Sequence, residues 1–262
     1  MNPVHAKKAL GQHFLRDEGI AERIAHIISG FDHPVLEVGP GMGVLTKYLL
    51  EEHRQVKVVE LDDESVDYLR AAFPDLRANI VHDDFLKLDL SELFGAGQPF
   101  MVIGNYPYNI SSQIFFKILD YKELIPVAGG MLQREVARRL ASPPGSKEYG
   151  ILSVLLQAWY DVEYLFTVEP GVFSPPPKVK SGVIRLIRND RKELGCDELL
   201  FKTVVKTTFN QRRKTLRNSL KPLVGNVVLP GEVDHLMGLR PEQLGVEDFV
   251  TLTNAVNQAK EE

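Results

Sequence analysis

The sequence predicts an α/β protein: a doubly wound, mostly parallel sheet with an antiparallel edge hairpin, followed by a small all-α C-terminal domain. Three observations predict it. Short apolar runs alternate with helix-periodic stretches through the first two thirds of the chain. The run Val35–Val38 ends in a glycine-rich turn that opens a helix. After Arg188 the strand-like runs give way to helical spacing. Repeated βαβ units imply a parallel sheet with helices packed on its faces.

Taken in order, Val35–Val38 is the first of these strands, and Val44–Glu52 has Leu45, Tyr48 and Leu49 on one helical side. Val56–Glu60 is a second strand and Ser65–Ala72 a helix. Ile80–His82, Phe100–Gly104 and Val127–Leu132 continue the buried strands, with a helix at Ser111–Leu119. Tyr160–Thr167 and Gly182–Ile187 have no long helix between them, which predicts the antiparallel hairpin at the sheet edge. Asn189–Gly195 is polar and loop-like. Beyond it, Asp197 is placed to cap a helix through Thr207 and Asn210 one over Gln211–Leu220, with further helices at Glu232–Met237 and Val246–Gln258. A boundary near residue 190 divides the chain into domains 1–189 and 190–262.

Composition excludes several classes. No apolar run approaches the ~20 residues that span a bilayer, and the N-terminus lacks the apolar core of a secretory signal. The lone Cys196 excludes an internal disulfide and argues against a zinc site, so a cytoplasmic protein is expected. Histidines 5, 26, 33, 53, 82 and 235 show no metal-ligand spacing, and no metal is expected. A net charge of −4 does not suggest a nucleic-acid binder, but the charge is segregated. Between Leu199 and Gly231 lie seven basic residues and no acidic one. Arg213, Arg217 and Lys221 recur every four residues, which predicts a basic helical stripe, and Arg212 and Lys214 extend it. Such a stripe is either a solvated face or a phosphate-binding surface, and the missing acids favour the second.

Two segments carry chemistry. Leu36–Gly43 is a strand followed by a turn of glycines, which let the backbone bend sharply and approach a ligand closely. Glu60 closes the next strand about 20 residues on, where a carboxylate can accept hydrogen bonds from ribose hydroxyls. Together they predict a nucleoside-containing cofactor touching Gly39, Gly41 and Glu60. The spacing G-x-G-x-G, with Glu37 before it, resembles motif one of the S-adenosylmethionine-dependent methyltransferases, the Rossmann-like class I fold. Asp83 and Asp84 end the third strand, and Asp84, followed by apolar Phe85, is the better candidate for an adenine amino group.

The second segment is Asn105-Tyr106-Pro107-Tyr108, at the end of an apolar strand. An amide and exposed carbonyls accept hydrogen bonds from a ring amine, Pro107 stiffens the turn, and Tyr108 offers a flat face for stacking. The plain alternative is a strand ending in an ordinary turn. Phe173, in the rigid loop before Pro175-Pro176-Pro177, is expected as the second stacking wall, the alternative being an aromatic that plugs the core.

Nearly the whole chain resembles the ribosomal RNA adenine dimethyltransferases, in particular the bacterial small-subunit branch. The resemblance rests on Leu10-Gly11-Gln12-His13-Phe14-Leu15, Glu37-Val38-Gly39-Pro40-Gly41, Asn105–Tyr108, Val172–Val179 and Phe209–Asn218. It implies S-adenosyl-L-methionine as cofactor, with contacts at Gln12, His13, Leu15, Gly39, Glu60, Asp84 and Asn105. It also implies two adjacent adenosines near the 3′ end of 16S rRNA as targets, each methylated twice on the 6-amino nitrogen. The partner would be an immature small ribosomal subunit and the enzyme a monomer. The family's usual Asn is His13 here, and its commoner Leu is Tyr106. Competing readings are a 23S rRNA or DNA adenine methyltransferase and a non-catalytic ribosome-assembly factor.

Overall fold

A computed structural model describes residues 4–52, 55–225 and 227–261; His53 lies outside the described residues. The chain divides into two compact units, Met1–Arg138 with Val162–Arg188 and Arg139–Asp161 with Asn189–Glu262.

The first unit holds most of a seven-stranded sheet. Its strands are β2 (Val35–Val38), β3 (Val56–Glu60), β4 (Ile80–His82), β5 (Met101–Asn105), β6 (Val127–Gln133), β7 (Tyr160–Val168) and β9 (Ser181–Arg188). They run in the order β4-β3-β2-β5-β6-β9-β7. The five strands from β4 to β6 are parallel, and β9 pairs antiparallel with β6. A parallel strand is covered on both faces, so every residue of β2 is buried and β5 and β6 are nearly so. β7 lies at the edge and alternates buried ends with exposed positions, as a strand with one wet face must.

Helices α1 (Glu18–Ala25), α2 (Thr46–Glu52), α3 (Asp63–Ala72), α4 (Ser111–Asp120) and α5 (Arg134–Ala141) accompany these strands. Asp17 starts α1 by accepting the Ile20 N–H at 2.9 Å. A second, two-stranded ribbon joins β1 (Phe14–Leu15) to β8 (Phe173–Ser174), antiparallel, with Leu15 opposite Phe173. The core gathers Ile24, Leu49, Val58, Met101, Ile103 and Val183 among others.

The second unit is helical: α6 (Ile151–Gln157), α7 (Glu198–Asn210), α8 (Leu216–Ser219), α9 (Lys221–Val224) and α10 (Val246–Glu261). Asp197 caps α7 through the Leu200 N–H. Residues 139–161, which a single cut near 190 assigns to the first domain, cluster with 189–262 instead. The Gly145 N–H bonds the Glu242 carbonyl at 2.6 Å, and the Trp159 carbonyl accepts from the Asn189 N–H.

Two expected helices do not form over the lengths expected. Gln211–Leu220 is a turn followed by α8, with α9 starting separately at Lys221. Thr215 is extended, and the first N–H groups of α8 bond the Leu239 and Met237 carbonyls rather than a preceding helical turn. Pro222 then lacks the N–H that would join α8 to α9. The continuous basic stripe over Arg213, Arg217 and Lys221 is therefore replaced by cations on a turn and two short helices. Glu232–Met237 forms a 3₁₀ turn at Gly231–Val233 and further i to i+3 turns, bounded by Pro230 and Gly238.

Candidate active site

Four adjacent parallel strands end at one cavity of about 610 Å³. β2 delivers the glycine turn, β3 ends on Glu60, β4 runs into Asp83-Asp84, and β5 ends on Asn105. β2 pairs with β3 on one side and β5 on the other, so the cavity opens where the chain switches direction across the sheet. Ligands of open α/β folds bind at such points.

In the turn, Gly39 and Gly41 have φ of +68° and +55°, left-handed conformations that a side chain would strain. A Cβ on Gly41 would come within 2.9 Å of the Phe14 ring, so the glycine is also required by close packing. Glu60 is buried and accepts three backbone N–H groups, Gly41 at 3.1 Å on Oε2 and Leu61 and Asp62 at 2.9 Å on Oε1. Burial pushes its carboxyl up and these three donors oppose the shift. With Oε1 taking two donors, Oε2 keeps one open acceptor position. Asp84 accepts the Leu86 N–H at 3.0 Å, which closes a tight turn and sets Phe85 into the cavity wall.

The Asn105 side chain donates its Nδ2–H to the His13 carbonyl at 3.1 Å. That fixes the amide and leaves Oδ1 as the group Asn105 can offer as an acceptor. Tyr106 is 1% exposed: its hydroxyl donates to the Gly129 carbonyl at 2.6 Å and its N–H to the Met131 carbonyl at 2.9 Å. Glycines at 104 and 130 make room for the ring, because a Cβ on Gly130 would meet it at 2.9 Å. Here lies the physical counterpart of Tyr where Leu is commoner. Pro107 packs opposite Gly39. The Tyr108 hydroxyl pairs with Ser181 Oγ at 2.5 Å, which fixes the plane of the ring, and burial pushes the phenol up.

The N-terminal segment forms another wall. Lys7 is paired with Asp62 and, at 3.2 Å, with Glu64; its N–H donates to Gln12 Oε1 at 2.8 Å. His13 Nδ1 donates to the Pro175 carbonyl at 2.8 Å, and the ring lies 5.4 Å from that of Tyr108. A carbonyl oxygen only accepts, so the proton of that bond is on Nδ1.

All eleven other residues expected to touch cofactor or target base line this one cavity: Gln12, His13, Leu15, Gly39, Gly41, Glu60, Asp84, Asn105, Tyr106, Pro107 and Tyr108. Phe173 does not. It is 4% exposed and sits in the apolar core. Phe173 stands directly opposite Leu15 across the two-stranded ribbon, and Leu15 belongs to the same core while also lining the cavity. The sequence reading left out Glu37 and Phe14, both of which line the cavity. Each stands inside a motif already singled out, which was the available signal.

In the second unit the basic residues separate into two kinds. Arg213, Lys214, Arg217 and Lys221 are exposed. Arg212 is not like them: its guanidinium donates to the Lys147 carbonyl at 2.7 Å and lies 3.7 Å from Glu242. It ties the 146–147 loop to the turn after α7.

A family model described as ribosomal RNA adenine dimethylase matches residues 4–258. The chain is 68% identical over 254 residues to a ribosomal RNA small subunit methyltransferase A of Parabacteroides distasonis, covering 97% of this chain and 94% of the relative. It is 55% identical to the protein of that name from Flavobacterium johnsoniae, covering 98% and 97%. Among solved structures, a dimethyladenosine transferase from Plasmodium falciparum shares the fold at a TM-score of 0.78 and 24% identity, over 95% of this chain and 98% of that one. The 23S rRNA methyltransferase ErmE superposes at a TM-score of 0.67 and 28% identity, over 94% and 100%. A match across nearly the full length, to the family model and to relatives well above half identical, establishes that this chain belongs to the ribosomal RNA adenine dimethylase family.

Proposed function

We propose that this chain transfers methyl groups from S-adenosyl-L-methionine to the 6-amino nitrogens of two adjacent adenosines near the 3′ end of 16S rRNA, two to each. The observation that carries the reading is Asn105, whose amide is held by the His13 carbonyl so that Oδ1 remains as an acceptor on the cavity. Its identity to small-subunit relatives, well above that to ErmE, favours 16S over 23S rRNA.

The cavity fits the cofactor. Its 610 Å³ lies within the ordinary range for ligand pockets. The glycine turn lets backbone approach closely, Glu60 has an acceptor free for a ribose hydroxyl, and Asp84 and Phe85 provide a carboxylate and an apolar wall for adenine. When bound, S-adenosylmethionine supplies an electrophilic methyl group on sulfur.

The lone pair of an adenine 6-amino group is delocalised into the ring, so the nitrogen is a poor nucleophile. Asn105 Oδ1 and the Tyr106 carbonyl accept its two N–H bonds and draw the nitrogen toward a pyramidal geometry, which localises the lone pair on nitrogen. Orientation of this kind can supply several kcal/mol of the barrier, and the two oxygens stabilise positive charge developing on nitrogen. The proton lost afterwards is acidic, so an acceptor suffices and no strong base is needed. Tyr108, held by Ser181, stacks on one face of the extruded base, worth ~1–3 kcal/mol.

In the second unit, Arg213, Lys214, Arg217 and Lys221 hold RNA phosphates. The partner is 16S rRNA within an immature small subunit, and the protein acts as a monomer in the cytoplasm. No helix among the described residues is long and apolar enough to cross a membrane.

The test is transfer of radiolabelled methyl to a panel of free 16S rRNA, free 23S rRNA and unmethylated small subunits. Labelling of small subunits, with two dimethylated adenosines per particle after digestion, supports the reading. Preferential labelling of 23S rRNA, or no turnover, rejects it.

A further inference from the structure

Among the described residues lining the cavity, two carboxyls are buried, Glu60 and Glu37. Glu37 is the third residue of β2, 1% exposed, and lines the cavity beside the glycine turn. Thr46, the first residue of α2, donates its hydroxyl to Glu37 Oε2 at 2.6 Å. Glu60, on the neighbouring strand, opens on the same cavity and receives three backbone N–H groups. Two buried carboxylates side by side repel, so one of them keeps its proton. The negative charge settles where the donors are, on Glu60, and the proton stays on Glu37.

The surrounding charges do not alter this. Besides Glu60, β3 carries Lys57, whose ammonium donates to the Leu93 carbonyl. β5 presents uncharged Asn105, and α2 presents Lys47, already paired with Glu18. The loop after β4 adds only the acids Asp83 and Asp84. Burial, with Glu60 adding and Thr46 opposing, pushes Glu37 up to about 8.

We propose that Glu37 is the charge-adjusting residue of the cofactor pocket: neutral in the free protein, it loses its proton to solvent as the cationic methyl donor binds. The inference rests on the reading of the cavity as the S-adenosylmethionine site. The O–H bond of Glu37 breaks, the proton passes to buffer, and the carboxylate remains to face a ligand whose sulfonium and ammonium outnumber its single carboxylate. Donor binding is thereby coupled to release of about one proton near neutrality.

The experiment is calorimetric titration of the full-length chain with S-adenosylmethionine in buffers of different ionisation enthalpy. At pH 7 the observed enthalpy should vary with buffer as expected for release of close to one proton, and affinity should rise about tenfold from pH 6 to pH 7. Glu37→Gln, which mimics the neutral acid and keeps the Thr46 bond, should bind with no proton release and a flat pH dependence. Infrared difference spectra give a second readout: the protonated carboxyl stretch should disappear on adding donor to the wild type and be missing from Glu37→Gln throughout. Binding without buffer dependence, or proton release unchanged in Glu37→Gln, overturns the inference alone. Failure of the wild type to bind S-adenosylmethionine overturns the cofactor reading and the inference together.

Discussion

Asn105 is held by one hydrogen bond to the His13 carbonyl, which leaves its Oδ1 as an acceptor on the cavity. Replacing it with Ala removes that acceptor together with the one hydrogen bond to the His13 carbonyl. Methyl transfer should fall by about 10²–10³-fold, while S-adenosylmethionine affinity measured by calorimetry changes much less. Phe173 is the reverse case. As a core residue, Phe173→Ala should lower stability by about 3–5 kcal/mol in chemical denaturation; a catalytic defect without loss of stability would return it to the pocket wall. Glu37 makes stability depend on pH in a direction fixed by its raised carboxyl. The neutral acid is favoured in the fold, so its contribution is complete below the ordinary glutamate value near 4.5 and is lost as pH rises toward about 8. Glu37→Gln should therefore raise the melting temperature at pH 8, by the equivalent of roughly 4 kcal/mol, and leave it unchanged at pH 4.

At the scale of elements, the decisive feature is how strand ends and turns are fastened. Tyr106 joins β5 to β6 through its hydroxyl on Gly129, in a gap that glycines 104 and 130 leave open. Tyr106→Phe leaves the Gly129 carbonyl buried without that donor, which should cost about 1–3 kcal/mol of stability. It should also lower turnover more than cofactor affinity, because the turn it anchors carries the Asn105 acceptor. The element boundaries that the sequence made legible were those set by local signals. β3 and β4 fall where the apolar runs end, and α7 begins at its Asp197 cap. The helix expected over Gln211–Leu220 failed because the N–H groups of Leu216 and Arg217, in its middle, found carbonyls at 239 and 237, distant in sequence. Helical periodicity contains no trace of such a competitor.

For the whole molecule, the net charge of −4 conceals a second unit whose exposed cations lie on short helices and a turn. Arg213→Ala and Arg217→Ala should each weaken RNA binding and reduce the slope of log affinity against log salt by about 1. Arg212→Ala, one residue away, should leave that slope unchanged and lower stability instead, since its guanidinium is spent on the Lys147 carbonyl. Filter binding over a salt series, beside thermal melts of each variant, separates the two.

The sequence by itself determined the alternation of strand and helix, the glycine turn, the acid that ends β3 and the amide that ends β5. Each depends on near neighbours in the chain, through periodicity, allowed dihedral angles and the chemistry of one side chain. The tertiary structure alone buried Phe173 in the core, opposite Leu15, 158 positions earlier by residue number (173 − 15). It decided that Arg212 is a clamp and Arg213 is not. It also buried Glu37 against the Thr46 hydroxyl, on a strand next to the one that ends in Glu60. Partners remote in sequence determine hydrogen bonding, burial and charge, and those are the quantities that assign a residue its work.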